Sequence, residues 1–490
     1  MEKILNNLEP KRVWKLFEDI CQIPRPSKKE DRILAFLIDF AKENKLEYEQ
    51  DKVGNLIIRK PAMPGFEDRA SVALQSHVDM VCEKNEGVTH DFDKDPIKPK
   101  IVDGWVKAEG TTLGADDGIG MAAQLAILEA DSIEHGPLEC LFTVDEETGL
   151  GGAFNLEKDF IKSRILLNVD SEDEGELFIG CAGGMETLIN FQYEQTPPEA
   201  DHLAFDLSVT GLKGGHSGDD IHKGRGNAIK LLNRLLWNAE KMHELRLADI
   251  KGGNLHNALA REAFATVTIP KRHKSAFQEL CKTLGDEIKN TMKTNEPGLS
   301  ITLEEAIMPD ALMDYTTQNK LLNALYGCPH GVMAMSPDIP DLVETSTNLA
   351  SVKMTPRDII IVTSQRSSQD TSKRDIADMI ASIFYLADAK VKHGDGYPGW
   401  EPDMDSPILA LTRKAYEDLF KETPKVLAIH AGLECGIIGE KYPGMDMISY
   451  GPTIKGAHSP DEAIETDTVR KFWDLTLEVL RNIPAVNSEQ

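Results

Sequence analysis

The first third of the chain alternates short, continuous apolar runs with a stretch in which apolar residues recur every three or four positions. The apolar runs predict buried strands at 71–81, 137–144 and 164–170, and the recurring pattern predicts a helix at 118–130. Strands that alternate with helices are typical of an α/β layer with a largely parallel sheet. Functional side chains in such sheets gather where the strands end, so a charged residue directly after an apolar run is informative.

The pattern changes after about residue 185, where apolar and polar residues alternate within strands and long amphipathic helices lie between them. Strands are predicted at 204–212, 263–269, 298–306 and 358–364, and helices at 227–242, 275–290 and 374–389. This combination is typical of an α+β domain with an antiparallel sheet.

A Gly/Pro-rich stretch at 393–403 marks a second change, beyond which the α/β pattern returns. The predicted fold is therefore an α/β domain with a mixed, mainly parallel sheet, formed by residues 1–186 and 399–490. An α+β lid domain with an antiparallel sheet, residues 187–398, is inserted in it. A chain of 490 residues is long enough for two such domains.

Composition and charge exclude several classes of partner. The formal net charge of −27 argues against nucleic-acid binding, which needs clustered Lys and Arg. No apolar run approaches the roughly 20 residues of a membrane span, and residues 1–17 predict an amphipathic helix rather than a signal peptide. The 7 cysteines are scattered and unpaired in pattern, which favours a reducing compartment, so we expect a cytoplasmic protein.

Acidic residues and histidines directly follow the buried apolar runs. They are His77 and Asp79, Asp116 and Asp117, Glu146 and Glu147, Asp170, and His458. Taken singly, each has an ordinary explanation as a turn former, a helix cap or a solvated pair. Together they would place several carboxylates and two imidazoles at one edge of a sheet, and buried like charges need a compensating cation.

Histidine and carboxylate ligands without thiolate suit Zn²⁺, Mn²⁺ or Co²⁺. Two such ions bridged by one carboxylate acidify a water, while a carboxylate that binds no metal removes its proton. The adjacent pair Glu146 and Glu147 fits this division, because neighbouring side chains leave the backbone in different directions. Asp79 lies two residues from His77 on the same strand face and can orient its imidazole.

These segments resemble the M20 family of metallopeptidases and, within it, the aminoacyl-histidine (Xaa-His) or cytosol nonspecific dipeptidases. The resemblance covers essentially the whole chain and rests on LQSHVDMV, HDFDKDPI, GTTLGADDGIGMA, CAGGME, GLKGGHSGDDIHKGRGNA, REAFATV, YPGWEPD, HAGLECG and GPTIKGAHSPDE. Many M20 members carry Lys after the second aspartate of the bridging motif, whereas here Gly118 follows Asp117 directly. That form looks like the Xaa-His subgroup.

The resemblance implies two metal sites that share Asp116. One would consist of His77, Asp116 and Asp170, and the other of Asp116, Glu147 and His458. Glu146 would be the general base and Asp79 would orient His77. Members that cleave dipeptides resemble this chain in carrying Asp at the Asp170 position, whereas acylase and carboxypeptidase branches tend to carry Glu.

The lid carries further candidates on the same grounds. His216 would stabilise the oxyanion, in its own subunit or across a homodimer, and Arg366 would bind the substrate carboxylate, with Asn257 and Gly432 as further substrate contacts. Without the resemblance, His216 is a turn histidine and Arg366 a partner in a solvated salt bridge.

The expected function is hydrolysis of unblocked dipeptides, carnosine-like Xaa-His dipeptides among them, with two divalent ions, Zn²⁺ first and Mn²⁺ or Co²⁺ as alternatives. Three other functions stay open at this point: an M20-type N-acyl amino acid acylase or deacetylase, a tripeptidase, and a non-catalytic peptide-binding homologue.

Overall fold

A computed structural model describes residues 4–486 of the chain. The chain divides into two compact units. The first unit comprises the residues through Gly180, Pro402–Ala428 and the residues from Leu433 onward. The inserted unit comprises Cys181–Glu401 and Ile429–Gly432. The sequence pattern predicts the borders of the inserted domain at 186/187 and 398/399.

The helices are numbered in chain order. They are α1 Lys11–Cys21, α2 Asp31–Glu43, α3 Ala115–Glu129, α4 Gly151–Asn155, α5 Ala228–His243, α6 Lys274–Met292, α7 Tyr315–Gly327, α8 Asp370–Leu386, α9 Pro407–Phe420, α10 Glu434–Lys441 and α11 Thr466–Asn482. Short 3-10 helices lie at Leu5–Asn7 and Lys271–His273.

The strands are numbered in the same way. They are β1 Glu47–Gln50, β2 Leu56–Lys60, β3 Val72–His77, β4 Lys100–Val102, β5 Trp105–Lys107, β6 Leu138–Thr143, β7 Ile165–Asn168, β8 Glu176–Cys181, β9 Gly183–Gln192, β10 Gln195–Thr196, β11 His202–Thr210, β12 Arg246–Gly252, β13 Ala263–Pro270, β14 Ser300–Ala306, β15 Leu312–Met313, β16 Gly331–Met335, β17 Val343–Met354, β18 Asp358–Ser367, β19 Lys390–His393, β20 Lys425–Ile429, β21 Asp446–Ser449, β22 Ile454–Lys455 and β23 Ala463–Glu465.

The main sheet of the first unit has the order β1-β2-β6-β3-β7-β21-β8-β20. Its centre is parallel, since β3 pairs in parallel with β6 and β7, and β7 pairs in parallel with β21. Antiparallel pairs flank this centre, with β2 on β6 and β8 on β21. The predicted mixed, mainly parallel sheet is confirmed, and β3 and β6 are buried along their whole length, as continuous apolar runs predict.

The N-terminal prediction is wrong in part. A continuous amphipathic helix was expected over 1–17, but the chain forms the 3-10 helix Leu5–Asn7 and then breaks before α1, which begins at Lys11. Pro10 is the residue before α1, with an extended backbone, and its ring fixes φ and removes an N–H, so the helix starts after it. Residues 1–3 of that prediction lie outside the described residues.

The inserted unit is built on an antiparallel sheet. Its order is β14-β11-β13-β12-β17-β18-β9-β19, with β16 paired to β17. The predicted α+β organisation is confirmed, and helices α5 to α8 contribute apolar side chains to one core with this sheet, among them Leu232, Phe277, Leu321 and Phe384. The long strands β17 and β18 position Arg366 near the C-terminal end of β18.

Within residues 4–486, no helix has the length and apolar character that crossing a membrane requires.

Candidate metal centre

The predicted metal-binding residues His77, Glu147 and Asp170 lie at or shortly after the ends of three neighbouring parallel strands. Strand β3 ends at His77, β6 ends at Thr143 shortly before Glu146 and Glu147, and β7 ends at Asn168, two residues before Asp170. Parallel strands bring their carboxyl ends to one edge of the sheet, so these side chains converge. His458 comes from the loop between β22 and β23 and has a φ of 62°. Residues other than glycine are uncommon in this left-handed region of backbone conformation. The backbone of His458 therefore indicates a loop whose shape is imposed by its surroundings.

Asp116 lies at the start of α3, but its backbone is extended rather than helical, with φ −79° and ψ 113°. The regular helix therefore begins beyond Asp117, close to the predicted start at residue 118. This leaves both carboxylate oxygens of Asp116 free to face other side chains rather than cap their own helix. The Asp116–Asp117 peptide bond is cis.

The first group of candidate ligands, the buried group, consists of His77, Asp116 and Asp170. The Nε2 atom of His77 lies 2.9 Å from Asp116 Oδ1 and 3.4 Å from Asp170 Oδ1. One ligand atom from each of the three side chains lies within 4.8 Å of the others. The side chains of His77 and Asp170 are 1% and 8% exposed, so this group is nearly closed to solvent.

The second group, the open group, consists of Asp116, Glu147 and His458. The Nε2 atom of His458 lies 3.1 Å from Asp116 Oδ2 and 3.1 Å from Glu147 Oε2. The side chain of His458 is 56% exposed, in contrast to His77. Each oxygen of Asp116 thus faces a different histidine, which is the arrangement that a bridging carboxylate between two cations requires.

The electrostatics of both groups show a shortage of positive charge. Burial alone would lower the pKa of His77, but Asp170 and Asp116 raise it well above its usual value. Hydrogen bonds to Asp116 and Glu147 raise the pKa of His458 to about 11. Burial raises the pKa of Asp170. The carboxylates around each imidazole favour a positive charge there, and a divalent cation would supply that charge at the same place.

An unpartnered buried atom gives a second test of whether cations fit here. Glu147 Oε1 is buried and has no hydrogen-bond partner among the described residues. Buried polar atoms without partners are rare in native proteins and call for an explanation such as an ion. The donor set of imidazole and carboxylate in each group suits Zn²⁺, Mn²⁺ or Co²⁺, so the residues fit two divalent cations.

Asp79 does more than the sequence indicated. Its Oδ1 accepts from the backbone N–H of Glu146 at 3.0 Å, and its Oδ2 accepts from that of Glu147 at 3.2 Å and from Ser27 Oγ at 2.7 Å. Its Oδ1 also lies 3.4 Å from His77 Nδ1. Burial would raise the pKa of Asp79, but His77 and these donors lower it to about 2. Asp79 is therefore a fixed anion that holds both the His77 ring and the Glu146–Glu147 turn.

Glu146 lies beside the candidate ligands without belonging to either three-residue group. One of its carboxylate oxygens falls within 4.8 Å of ligand atoms of His77 and Glu147. Burial raises its pKa well above the usual value, and the negative charges of Asp170 and Glu434 add to the effect. A carboxylate with a raised pKa in this position suits proton transfer beside the cations that the two groups would hold.

In the inserted unit, Arg366 and His216 lie together. Arg366 is 7% exposed, and its Nη1 donates to Tyr397 Oη at 2.9 Å, its Nε to Ser217 Oγ at 3.3 Å, and its Nη2 lies 3.4 Å from His216 Nε2. Among the residues that the structure describes, no carboxylate lies within salt-bridge distance of this guanidinium. A solvated salt bridge, the interpretation of Arg366 that the sequence favours without the resemblance, therefore does not describe this residue.

The other two predicted substrate contacts adjoin the same cluster. The carbonyl of Asn257 accepts from the backbone N–H of Ser217 at 2.8 Å. A Cβ added to Gly432 would lie 2.8 Å from the Tyr397 ring, so only glycine fits there. The structure thus brings His216, Asn257, Arg366 and Gly432 into one neighbourhood, named the Arg366 cluster, in which Tyr397 contacts Arg366 and Gly432.

Some residues of these sites were missed by sequence reasoning. Tyr397 lies in YPGWEPD, Glu434 in HAGLECG and Glu462 in SPDE, all segments that the family resemblance had already singled out. Glu434 is fully buried, and its Oε2 accepts from Gln75 at 2.6 Å and Thr143 at 2.7 Å. Their presence in those motifs was the one indication in the sequence that these three residues are functional. The motifs do not show which backbone groups or side chains the three residues contact.

Comparison with known proteins places this geometry in context. The model of the family described as peptidase family M20/M25/M40 matches residues 73–482. The chain is 44% identical to the cytosol non-specific dipeptidase of Escherichia coli (strain K12), over 98% of this chain and 99% of that protein. It superposes on the crystal structure of aminoacylhistidine dipeptidase from Vibrio alginolyticus with a TM-score of 0.92, at 43% identity and 99% coverage of both chains. Aminopeptidase PepT from Bacillus cereus ATCC 10987 shares the fold, with a TM-score of 0.57 at 17% identity, over 97% of this chain and 99% of that one.

Proposed function

The chain belongs to peptidase family M20/M25/M40, and we propose that it is a cytoplasmic metallopeptidase that hydrolyses unblocked dipeptides, Xaa-His dipeptides among them. The observation that carries this proposal is the pair of three-residue groups that share Asp116. It occurs in a chain similar along its whole length to two enzymes named as dipeptidases. The intact set of candidate ligands argues against a non-catalytic peptide-binding homologue.

The residues of the buried group and the open group would each hold one divalent cation, with Asp116 shared between them. Zn²⁺ is the first choice for such ligands, and Mn²⁺ and Co²⁺ are alternatives. When bound, two such cations polarise the scissile carbonyl and lower the pKa of water.

Glu146 is the proposed general base. It accepts a proton from the attacking water and returns it to the nitrogen of the leaving amine. Asp79 keeps Glu146 in place, because it accepts hydrogen bonds from the backbone of both Glu146 and Glu147. The same carboxylate lies beside His77 Nδ1 and holds the ring that presents Nε2 to the buried group.

The Arg366 cluster would bind the substrate outside the reacting bond. A buried guanidinium that forms no salt bridge within the described part of the chain suits the C-terminal carboxylate of a dipeptide, which it can bind through two parallel hydrogen bonds. Asn257 and Gly432 would contact the same end of the substrate, and His216 would donate to the developing oxyanion. A site that fixes the carboxylate limits the length of the substrate, which favours dipeptides over longer chains.

A substrate panel on metal-loaded protein tests the function. Ala-His and other free-amine dipeptides are expected to be hydrolysed, whereas N-acetylated amino acids and tripeptides are expected to react at least about 100-fold more slowly, the scale of discrimination that a site obtains when an expected polar group is missing or misplaced. Release of the free amino acids, followed by chromatography, measures each rate. Preference for N-acetyl amino acids would establish the acylase, and preference for tripeptides the tripeptidase.

Replacing Arg366 by lysine is expected to raise KM for Ala-His roughly 10- to 100-fold with a smaller change in kcat. A hydrogen bond to a charged group contributes about 1.5–3 kcal/mol, and binding that is equal in the ground and transition states appears in KM. Steady-state kinetics measure the effect, and Arg272→Lys, an exposed position in the same unit, is the matched control.

A second substrate sharpens that experiment. Ala-His amide lacks the C-terminal carboxylate, so it is expected to be equally poor for the native protein and for Arg366→Lys. A variant that loses the same factor on the amide as on the free dipeptide would show that Arg366 acts on something other than the carboxylate.

The family resemblance also implies a homodimer, and we propose that state for the chain in solution. Sedimentation velocity at micromolar concentration distinguishes a species of twice the chain mass from a monomer.

A further inference from the structure

Two buried charged side chains of the first unit contact the loops of the metal centre without belonging to either ligand group. They are Arg25, in the segment between α1 and α2, and Glu462, in the loop between β22 and β23 that also carries His458. Both are 2% exposed. A buried charge is costly unless it is fully hydrogen-bonded, so what these two groups bind indicates what they are for.

Glu462 binds the backbone that leads into Asp116. Its Oε2 accepts from the N–H groups of Leu113 at 2.7 Å and Gly114 at 3.0 Å, and its Oε1 accepts from those of Ala115 at 2.7 Å and Asp116 at 3.4 Å. Four successive N–H groups of the segment that leads into α3 thus converge on one carboxylate. We name residues 456–462 the His458 loop and residues 113–116 the Asp116 loop. Because Glu462 follows His458 by four residues, it connects the His458 loop to the Asp116 loop.

Arg25 binds the same backbone through its carbonyl groups. Its Nη2 donates to Gly114 O at 2.5 Å, and its Nη1 donates to Val78 O at 2.9 Å and to Asp79 O at 2.5 Å. The guanidinium therefore joins the Asp116 loop to the segment directly after His77. The planar fork of arginine presents its donors in fixed directions to carbonyls on two different loops, whereas the ammonium of a lysine is a compact group on a flexible stem.

The fit around Arg25 is tight on the side of the Asp116 loop. A Cβ added to Gly114 would lie 2.6 Å from Arg25 Nη2, and one added to Gly118 would lie 2.8 Å from the same atom. Gly114 also has a φ of 68°, which glycine adopts without strain. The two glycines on either side of the aspartate pair therefore make room for the guanidinium.

We propose that Arg25 and Glu462 are positioning residues that set the distance between the two metal-binding groups. Arg25 joins the loop after His77 to the Asp116 loop, and Glu462 joins the Asp116 loop to the His458 loop. The backbone that carries the proposed bridging carboxylate is thus held from both sides by groups that belong to neither ligand group. This inference rests on the ligand set of the proposed function.

Replacing Glu462 by glutamine keeps the size of the side chain but turns an N–H₂ group toward backbone donors. The Asp116 loop then loses part of its anchor, and we expect the affinity for the more weakly held cation to fall about 10- to 100-fold, the range typical of residues that support metal ligands. Competition with a chromophoric chelator measures that affinity with Zn²⁺, independently of activity. The visible absorption spectrum of the Co²⁺-loaded protein reports the altered ligand geometry directly.

Glu139→Gln is the matched control. Glu139 is 4% exposed, and its Oε2 accepts from the N–H groups of Lys162 at 2.8 Å and Ser163 at 2.7 Å, but it lies at the start of β6, at the other end of the strand from Glu146. Both variants are expected to lower the melting temperature of the metal-free protein. Only Glu462→Gln is expected to lose part of the further rise in melting temperature that saturating Zn²⁺ produces.

Unchanged chelator affinity and an unchanged Co²⁺ spectrum in Glu462→Gln would overturn the inference. If that variant does not fold, Arg25→Lys takes its place with the same two measurements and the same outcomes. The variant Asp116→Asn, measured in parallel, distinguishes failure of the positioning role from failure of the proposed ligand set. Loss of metal in Asp116→Asn but not in the positioning variants refutes the positioning role alone, whereas retained metal in Asp116→Asn refutes the ligand set itself.

Discussion

Replacing Glu146 by glutamine is expected to lower kcat for Ala-His by at least about 10²- to 10⁴-fold, the contribution of a positioned general base. The amide is similar in size to the carboxylate but cannot accept the proton of the attacking water. Glu146 belongs to neither the buried group nor the open group, although its carboxylate also forms a possible ligand group with His77 and Glu147. As the proposed base Glu146 would bind no metal, so the variant is expected to keep both metals. Steady-state kinetics on metal-saturated protein measure the loss, and metal analysis after gel filtration measures the occupancy.

The exposed Glu86→Gln in the same unit is the control and should match the native rate. A Glu146→Gln variant with full metal and more than a tenth of native activity would contradict the assignment of Glu146 as base. Loss of metal together with activity would instead make Glu146 a ligand.

Replacing Asp116 by asparagine is expected to remove activity to background and to reduce bound metal from two ions to less than one per chain. Both oxygens of Asp116 face a histidine of a different group, so one substitution weakens both groups at once. An amide offers one oxygen and no charge where the native side chain offers two oxygens and a negative charge. Inductively coupled plasma mass spectrometry on gel-filtered protein measures the stoichiometry.

Asp170→Asn provides the contrast that makes this prediction specific. Asp170 belongs only to the buried group, so its replacement is expected to leave the open group's ion in place, at one metal per chain. Equal metal loss in the two variants would show that Asp116 does not bridge. Circular dichroism of both metal-free variants establishes that they are folded.

The central strands could be predicted because burial alone determines their composition. β3 and β6 are enclosed on both faces, so they read as unbroken apolar runs, and the first polar residues after them mark where the sheet ends. That is why His77, Glu146 and Glu147 could be identified, and why the parallel order predicted their convergence. The division of these residues into two ligand sets came from the family resemblance, not from spacing.

The contacts that organise the centre could not be predicted, because they join residues far apart in the chain. Glu462 binds backbone 349 to 346 positions earlier, and Arg25 binds backbone 53 to 89 positions later. Backbone N–H and C=O groups are common to every residue, so no letter pattern records them as targets. The N-terminal prediction failed for a local reason instead, since apolar periodicity over 1–17 outweighed the effect of Pro10.

The Arg366 cluster illustrates an intermediate case. The resemblance alone predicts that Arg366 binds the substrate carboxylate. Its burial, and the absence of a carboxylate within salt-bridge distance among residues 4–486, support that role on physical grounds. Tyr397, which contacts Arg366 and leaves room only for glycine at Gly432, was not predicted. Tyr397 lies in the loop after β19, where the chain returns to the cluster. Composition does not reveal the path of that loop.

The four-residue segment Ile429–Gly432 belongs to the inserted unit although its neighbours on both sides belong to the first unit. The backbone N–H of Ala182 donates to Ile429 O at 3.0 Å, so this segment completes the unit near its first residues. The gene therefore does not carry the inserted unit as one removable block. Excising the codons for 181–401 would leave a fragment of that unit behind in the remaining polypeptide, without the chain it pairs with.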